Sequence, residues 1–368
     1  MKITIDRKVF AQALSEVLPF APAKAPIEIL KNAKITTKGN RMKLEANDTH
    51  TSITKYIDVI ECDEESSFLI NVADLNAFVS KIKGNTIEII VSENTLSLKH
   101  EKGKAEFQTA PSEEYPPMKE MGDSTKVEIP VYMLLSAVSN GRGFVMSDNL
   151  RPQMCAIYAY LEHGDKFGYC ATDTYKLIHG WFDLDGIEVP VIHWLIMPTV
   201  FRAIINAGKG IDVVEIQISD TKVSYRFGNT IIRTIQATGN FPNFKRVIPQ
   251  SWKMECVVEK QDLIDSLGRV SLFCDASECV KFDINQMDMT LSVDNLEYMK
   301  KSIENLSHGG CNGNIVIGAN VNHVTTSASV IPDGEILMRM DDASRPILFA
   351  TKDNDKLQVI VMPMQLIS

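Results

Sequence analysis

The chain has 368 residues, 45% of them hydrophobic and 23% charged, with a formal net charge of −9. That length holds two or three domains of ordinary composition, and no run approaches the ~18 apolar residues of a membrane span. The acidic balance argues against a protein that grips nucleic acid through a general basic surface, because such binding rests on neutralising phosphates. Seven cysteines without a CxxC pair argue against a disulfide framework or a zinc site and point to reduced thiols in the cytoplasm.

The opening MKITIDRKVF, charged at positions 6, 7 and 8, does not read as a signal peptide. It reads as a strand entering the first amphipathic helix, in ITIDRKVFAQALSEVL, where Val9, Phe10, Ala13, Leu14 and Val17 share a face opposite Arg7, Lys8, Gln12 and Glu16. A second strand and helix follow in FLINVADLNAFVSKI, with Asn71 as N-cap, Asp74 three residues on, and Leu75, Phe78, Val79 and Ile82 as the stripe. Period-two strands come next, in TIEIIVSENTLSLKHE, turning near Glu93-Asn94.

The order then recurs. VEIPVYMLLSAVSNGR from Val127 and MECVVEKQDLIDSLGRV from Met254 repeat the first unit, the latter with Leu263, Ile264, Leu267 and Val270 on one face. WLIMPTVFRAII from Trp194, with Pro198 at N1 and Phe201, Ile204 and Ile205 inward, and IVIGANVNHVTTSA from Ile315 repeat the second. Strands with turns at Ser219-Asp220, Gly228-Asn229 and Asp353-Asn354 close the second and third copies. Three α+β units result, each with two helices on antiparallel strands, dividing the chain at 1–125, 126–252 and 253–368.

Enzyme signatures are missing. Gly141-Arg142-Gly143 lacks the third glycine of a dinucleotide fingerprint and follows a helix; there is no GxxxxGK[ST], HExxH or GxSxG, and the histidines are scattered. No catalytic residue, metal or cofactor is expected. The alternative kept open is a hydrolase using Asp173, His179 and Asp183.

Three segments stand out from the repeat. ATDTYKL (Ala171–Leu177) reads as a hairpin turn capped by an aspartate. GNFPNFKRVIP (Gly239–Pro249) interleaves aromatics, prolines and bases at a domain junction, which is either packed there or part of a groove. VIVMPMQL (Val359–Leu366) ends in methionines, which adapt to varied apolar partners.

Together the three resemble the β sliding clamp family of bacterial DNA polymerase III: ATDTYKL its ATD-x-[HY]-[RK]-L turn, GNFPNFKRVIP its G-x-[FY]-P-x-[FY]-x-[RK]-[VL]-[IL]-P stretch, and VMPMQL its VMPM-x-L ending. The resemblance spans the whole chain. It implies a head-to-tail homodimer closed into a ring around double-stranded DNA, without sequence preference. Clamps of the eukaryotic or archaeal kind have two repeats per chain, and this one has three.

The resemblance also implies a hydrophobic pocket where the polymerase III alpha subunit, the clamp loader, other polymerases and repair proteins dock short linear motifs. The pocket residues it implies are Met154, Thr172, Thr174, Tyr175, Lys176, Leu177, Pro242, Arg246, Val247, Asn320, His323, Pro346, Ile360, Val361, Met362, Pro363, Met364 and Leu366. For DNA it implies Lys24, Asn149 and Arg151 on loops, joined by Lys81, Lys83, Arg142 and Arg202, touching phosphates rather than base edges. For the ring seam it implies Phe78, Ile82 and Phe107 against Leu272 and Phe273 of a second copy. Thr174, Tyr175 and Gln365 depart from the family's usual glycine, histidine and arginine.

Overall fold

The computed structural model describes residues 1–25, 27–117, 120–148, 150–162, 166–184, 186, 189–295, 299–352 and 354–366. Asn149, expected at DNA, and Asp353 of the last expected turn lie outside them.

Among the described residues the six helices fall in the six strand-to-helix segments of the repeat: α1 (Arg7–Val17), α2 (Val72–Val79), α3 (Val131–Gly141), α4 (Pro198–Ala207), α5 (Lys260–Ser271) and α6 (Val321–Val330). Three of them start on a side-chain cap at the end of the preceding strand. Asp6 accepts the N–H groups of Lys8 and Val9, Asn71 those of Ala73 and Asp74, and Asn320 those of Asn322 and His323, so donors that the first turn leaves orphaned are satisfied at once. α1 buries Phe10, Ala13, Leu14 and Val17, whereas Val9 is 42% exposed and leaves the expected stripe. A period of 3.6 fixes the centre of an apolar face better than its margins.

Packing divides the chain into two compact units, Met1–Leu135 with Met197–Gln236, and Ser136–Ile196 with Ala237–Ser368. The first holds a thirteen-stranded antiparallel sheet in which Thr51–Asp58 pairs with Thr230–Ile235. The second holds a nine-stranded sheet, in which Lys176–Asp183 pairs with Leu357–Val361, and a four-stranded sheet ending at Lys300–Leu306. The hairpins turn where expected: Ser92 pairs with Thr95, Ile218 with Val223, and Phe227 with Thr230 around Gly228 at φ +53°. Among the described residues no helix is long and apolar enough to cross a membrane.

Two glycines in the nine-stranded sheet are there for close approach. The Tyr160 ring lies over Gly168 on the neighbouring strand, and the Tyr169 ring over Gly180 on the next. A Cβ on either would collide with the ring, and Tyr169 is fully buried with no room to yield. Gly180→Ala is therefore expected to lower unfolding stability by about 1–3 kcal/mol, read as a lower urea midpoint at unchanged slope.

Candidate functional site

The polar turn Ala171–Leu177 is both the capped hairpin that its residues indicate and one wall of a cleft. Thr172 and Leu177 are directly opposed across the hairpin. Between them one oxygen of Asp173 accepts the N–H groups of Tyr175 (3.0 Å) and Lys176 (2.8 Å), and the other pairs with the Lys176 ammonium. The Thr172 hydroxyl donates to the Lys176 carbonyl (2.8 Å) and accepts the Thr174 N–H (3.1 Å). With its polar groups spent on one another, the turn holds Tyr175 outward, 62% exposed. Thr174 pays for the geometry with φ at +80°, a region that β-branched residues avoid.

The second wall comes from the C-terminal strand. Leu177 pairs with Ile360, and past the strand's end the Met362 N–H donates to the Tyr175 carbonyl (2.8 Å). The chain then crosses to α6's strand, where the Met364 N–H donates to the Gly318 carbonyl (2.8 Å) and Leu366 lies over Gly318. The third wall is the aromatic stretch, through Pro242, Phe244 and Val247. Its Phe244 joins Leu177, Ile248, Leu348 and Ile360 in a buried cluster under the cleft, and Phe241 stacks on Tyr158 with ring centroids 4.9 Å apart.

The resulting cleft has a volume of about 260 Å³. Ten of the eighteen expected pocket residues line it: Met154, Thr172, Thr174, Tyr175, Lys176, Leu177, Pro242, Val247, Ile360 and Met362. Its floor of Met154, Leu177, Phe244 and Ile360 is apolar and its rim polar, a composition suited to an apolar anchor with a few orienting hydrogen bonds.

The other eight residues are placed differently. His323 stacks on Tyr175 (5.7 Å), and its imidazole is held below its ordinary pKa by burial and then by the Lys176 charge. Asn320 caps α6 and donates to Glu278 (3.2 Å), while Met364 and Leu366 sit at Gly318 nearby. Val361 is buried within the sheet, Pro346 and Pro363 are half-buried, and Arg246 is exposed. Two lining residues were missed. Phe244 lay in a segment already singled out, and its spacing from Phe241 was the available signal; Arg151 was assigned to DNA and stands on the cleft's rim.

Asp173, His179 and Asp183, the alternative hydrolase set, are each committed elsewhere. Asp173 closes the turn, Asp183 pairs with Lys356 (2.7 Å), and His179 Nε2 is 2.8 Å from the Tyr160 hydroxyl beside Phe244. Among the described residues no three His, Cys, Asp or Glu side chains gather as a metal site.

Of the cations expected at DNA, Lys24, Lys81, Lys83, Arg142, Arg151 and Arg202 are exposed. Of those expected at the seam, Phe78 and Phe107 meet edge to face (5.8 Å) and Ile82 is buried, while Leu272 is 77% exposed just past α5 with Phe273 half-buried beside it.

Comparison with known proteins gives a consistent answer. The sequence model of the DNA polymerase III beta subunit N-terminal domain matches residues 1–119, and that of its C-terminal domain matches residues 245–365. The beta sliding clamp of Bacillus subtilis is 22% identical over 99% of this chain and 100% of its own length. Among solved structures, the sliding clamp from Pseudomonas aeruginosa bound to griselimycin superposes over the full length of both chains with a TM-score of 0.95 at 18% identity. The C. crescentus beta sliding clamp with polyethylene glycol bound to its putative beta-motif tethering region does so at 0.90 and 20%.

Two outcomes follow from the site's geometry. Thr174→Gly relieves the positive φ and is expected to raise unfolding stability by up to about 1 kcal/mol, measured by thermal unfolding. Burial lowers the His179 pKa to about 4. The unfolded chain therefore takes up this proton near pH 6.5 while the folded chain resists it to about pH 4, so stability is lost as pH falls through that window and is level above it. The loss is on the order of 3 kcal/mol, and urea midpoints at pH 7 and pH 4.5 should converge in His179→Gln by that share.

Proposed function

Since the chain belongs to the DNA polymerase III beta subunit family, we propose that it is a sliding clamp: two copies close into a ring around duplex DNA, give the replicative polymerase its processivity, and catalyse nothing. The observation that carries this reading is the convergence of three segments distant in sequence, ATDTYKL, GNFPNFKRVIP and VMPMQL, on one apolar cleft. Such a cleft suits a leucine or phenylalanine anchor from a short linear motif, and polymerase, clamp loader and repair proteins would exchange there. Burying one anchor contributes roughly 1.5–3 kcal/mol, which gives affinities that permit exchange.

The rest of the reading is mechanical. Residues 1–125, 126–252 and 253–368 form three clamp domains, so two chains supply six. With a net charge of −9 the protein lacks the charge to hold DNA by counterion release. A closed ring needs only a local lining, to which Lys24, Lys81, Lys83, Arg142, Asn149, Arg151 and Arg202 would contribute.

The seam would join two open strand edges. Among the described residues Gly103–Gln108 has its ladder partner on one side only, as does Lys301–Leu306. Unpaired edges are templates for a further strand, and pairing one with the other head to tail covers both. Phe78, Ile82 and Phe107 would then meet Phe273 and the exposed Leu272. The protein would work in the cytoplasm, with the replication machinery.

Sedimentation at micromolar concentration should give a dimer, and Leu272→Glu a monomer. The dimer, once loaded, should stay on nicked circular DNA and run off when the circle is cut; equal loss from both forms would overturn encirclement. Met362→Ala should weaken a fluorescent partner-motif peptide by about tenfold to a hundredfold and leave the dimer intact.

A further inference from the structure

A second cleft in the first compact unit is built on the same backbone plan as the first, with its chemistry inverted. The turn Asn47–Ser52 reads N-D-T-H-T-S where the first cleft reads T-D-T-Y-K-L. Asp48 accepts the N–H groups of His50 (3.0 Å) and Thr51 (2.6 Å), as Asp173 does two and three residues on. Thr49 sits at φ +80°, the value found at Thr174. The Ile235 N–H donates to the His50 carbonyl (3.0 Å), as Met362 does to Tyr175. Prolines again form a wall, here Pro116 and Pro117, and the space enclosed is about 160 Å³.

The floor is where the two part. In the first cleft the opposed pair across the strands is Leu177 and Ile360; in the second it is Ser52 and Arg233. Arg233 is half-buried, and among the described residues its buried Nε has no hydrogen-bond acceptor. Burial, and then the neighbouring Arg226, disfavours its charged state. The carboxylate of Glu45 is engaged by Lys43 (2.8 Å), the Lys222 ammonium donates to the Glu120 carbonyl, and His50 hydrogen-bonds to Thr49. Tyr56 and Glu45 favour the Arg233 charge less than burial opposes it, and a carboxylate entering the cleft would match its planar donors.

We propose that this cleft binds a short extended peptide through an aspartate or glutamate side chain seated on Arg233, with flanking apolar groups on Pro116, Pro117 and Ile235. A peptide fits better than a nucleic-acid backbone because Pro116, Pro117 and Ile235 stand beside the guanidinium among neutral polar residues, and the chain as a whole carries a net charge of −9. The inference goes beyond the sliding-clamp reading and holds whether or not that ring forms.

The test measures anisotropy of a labelled, end-blocked hexapeptide carrying one aspartate among leucine and proline residues, against its asparagine counterpart. The intact protein should bind the acidic peptide at least about tenfold more tightly, since a hydrogen bond to a charged partner contributes about 1.5–3 kcal/mol. Arg233→Gln should erase that preference and Arg233→Lys retain part of it. Equal affinity for the two peptides, a preference unchanged in Arg233→Gln, or ready displacement of the acidic peptide by a short DNA duplex would each overturn the proposal. The first and third comparisons need no variant, so misfolding at Arg233 cannot shield it.

Discussion

The apolar cleft depends on one long-range ladder, in which Lys176–Asp183 hydrogen-bonds to the last strand, Leu357–Val361. Closing so large a loop carries an entropic cost that grows only slowly with its length, and the contacts that the ladder enables must offset it. They do so through a dry cluster: Leu177, Ile360, Leu348, Phe244 and Ile248 pack beneath the strand pair, and each large side chain removed from water contributes roughly 1.5–3 kcal/mol. The floor of the cleft is the upper surface of that cluster. The groups that line the cleft are therefore the groups that hold the strands together.

Local signals carried most of what could be read in advance. Asn71 as an N-cap, Pro198 at N1 and the turns at Glu93-Asn94 and Gly228-Asn229 are decided by chemistry within a few residues, and the structure has them where the residues indicate. Ala171–Leu177 was legible as a capped turn, and the structure has that turn, with the Asp173 carboxylate that closes it also presenting Tyr175 and Leu177 to the cleft. Resemblance supplied what pattern could not, namely which distant segments share a site.

What stayed hidden was three-dimensional. Val9 belongs to the apolar stripe by count, yet it lies at the margin of α1's buried face. Arg151 is an exposed cation in sequence terms, and nothing local says that it shares a cleft with Tyr175 and Met362. Arg233 sits between β-branched and apolar residues in TIIRTI and reads as the outward member of an alternating strand. Only the register that sets it opposite Ser52 shows it as the floor of a cleft.

The pair of clefts separates what the scaffold requires from what function can vary. The aspartate turn and the backbone bond at the strand ends, Ile235 to His50 and Met362 to Tyr175, are present in both. The opposed side chains at the floor make no backbone bond and can change sign of preference without disturbing the ladder. Leucine and isoleucine give the first cleft an apolar floor. A guanidinium in the same place is opposed by burial and by Arg226 and only partly supported by Tyr56 and Glu45.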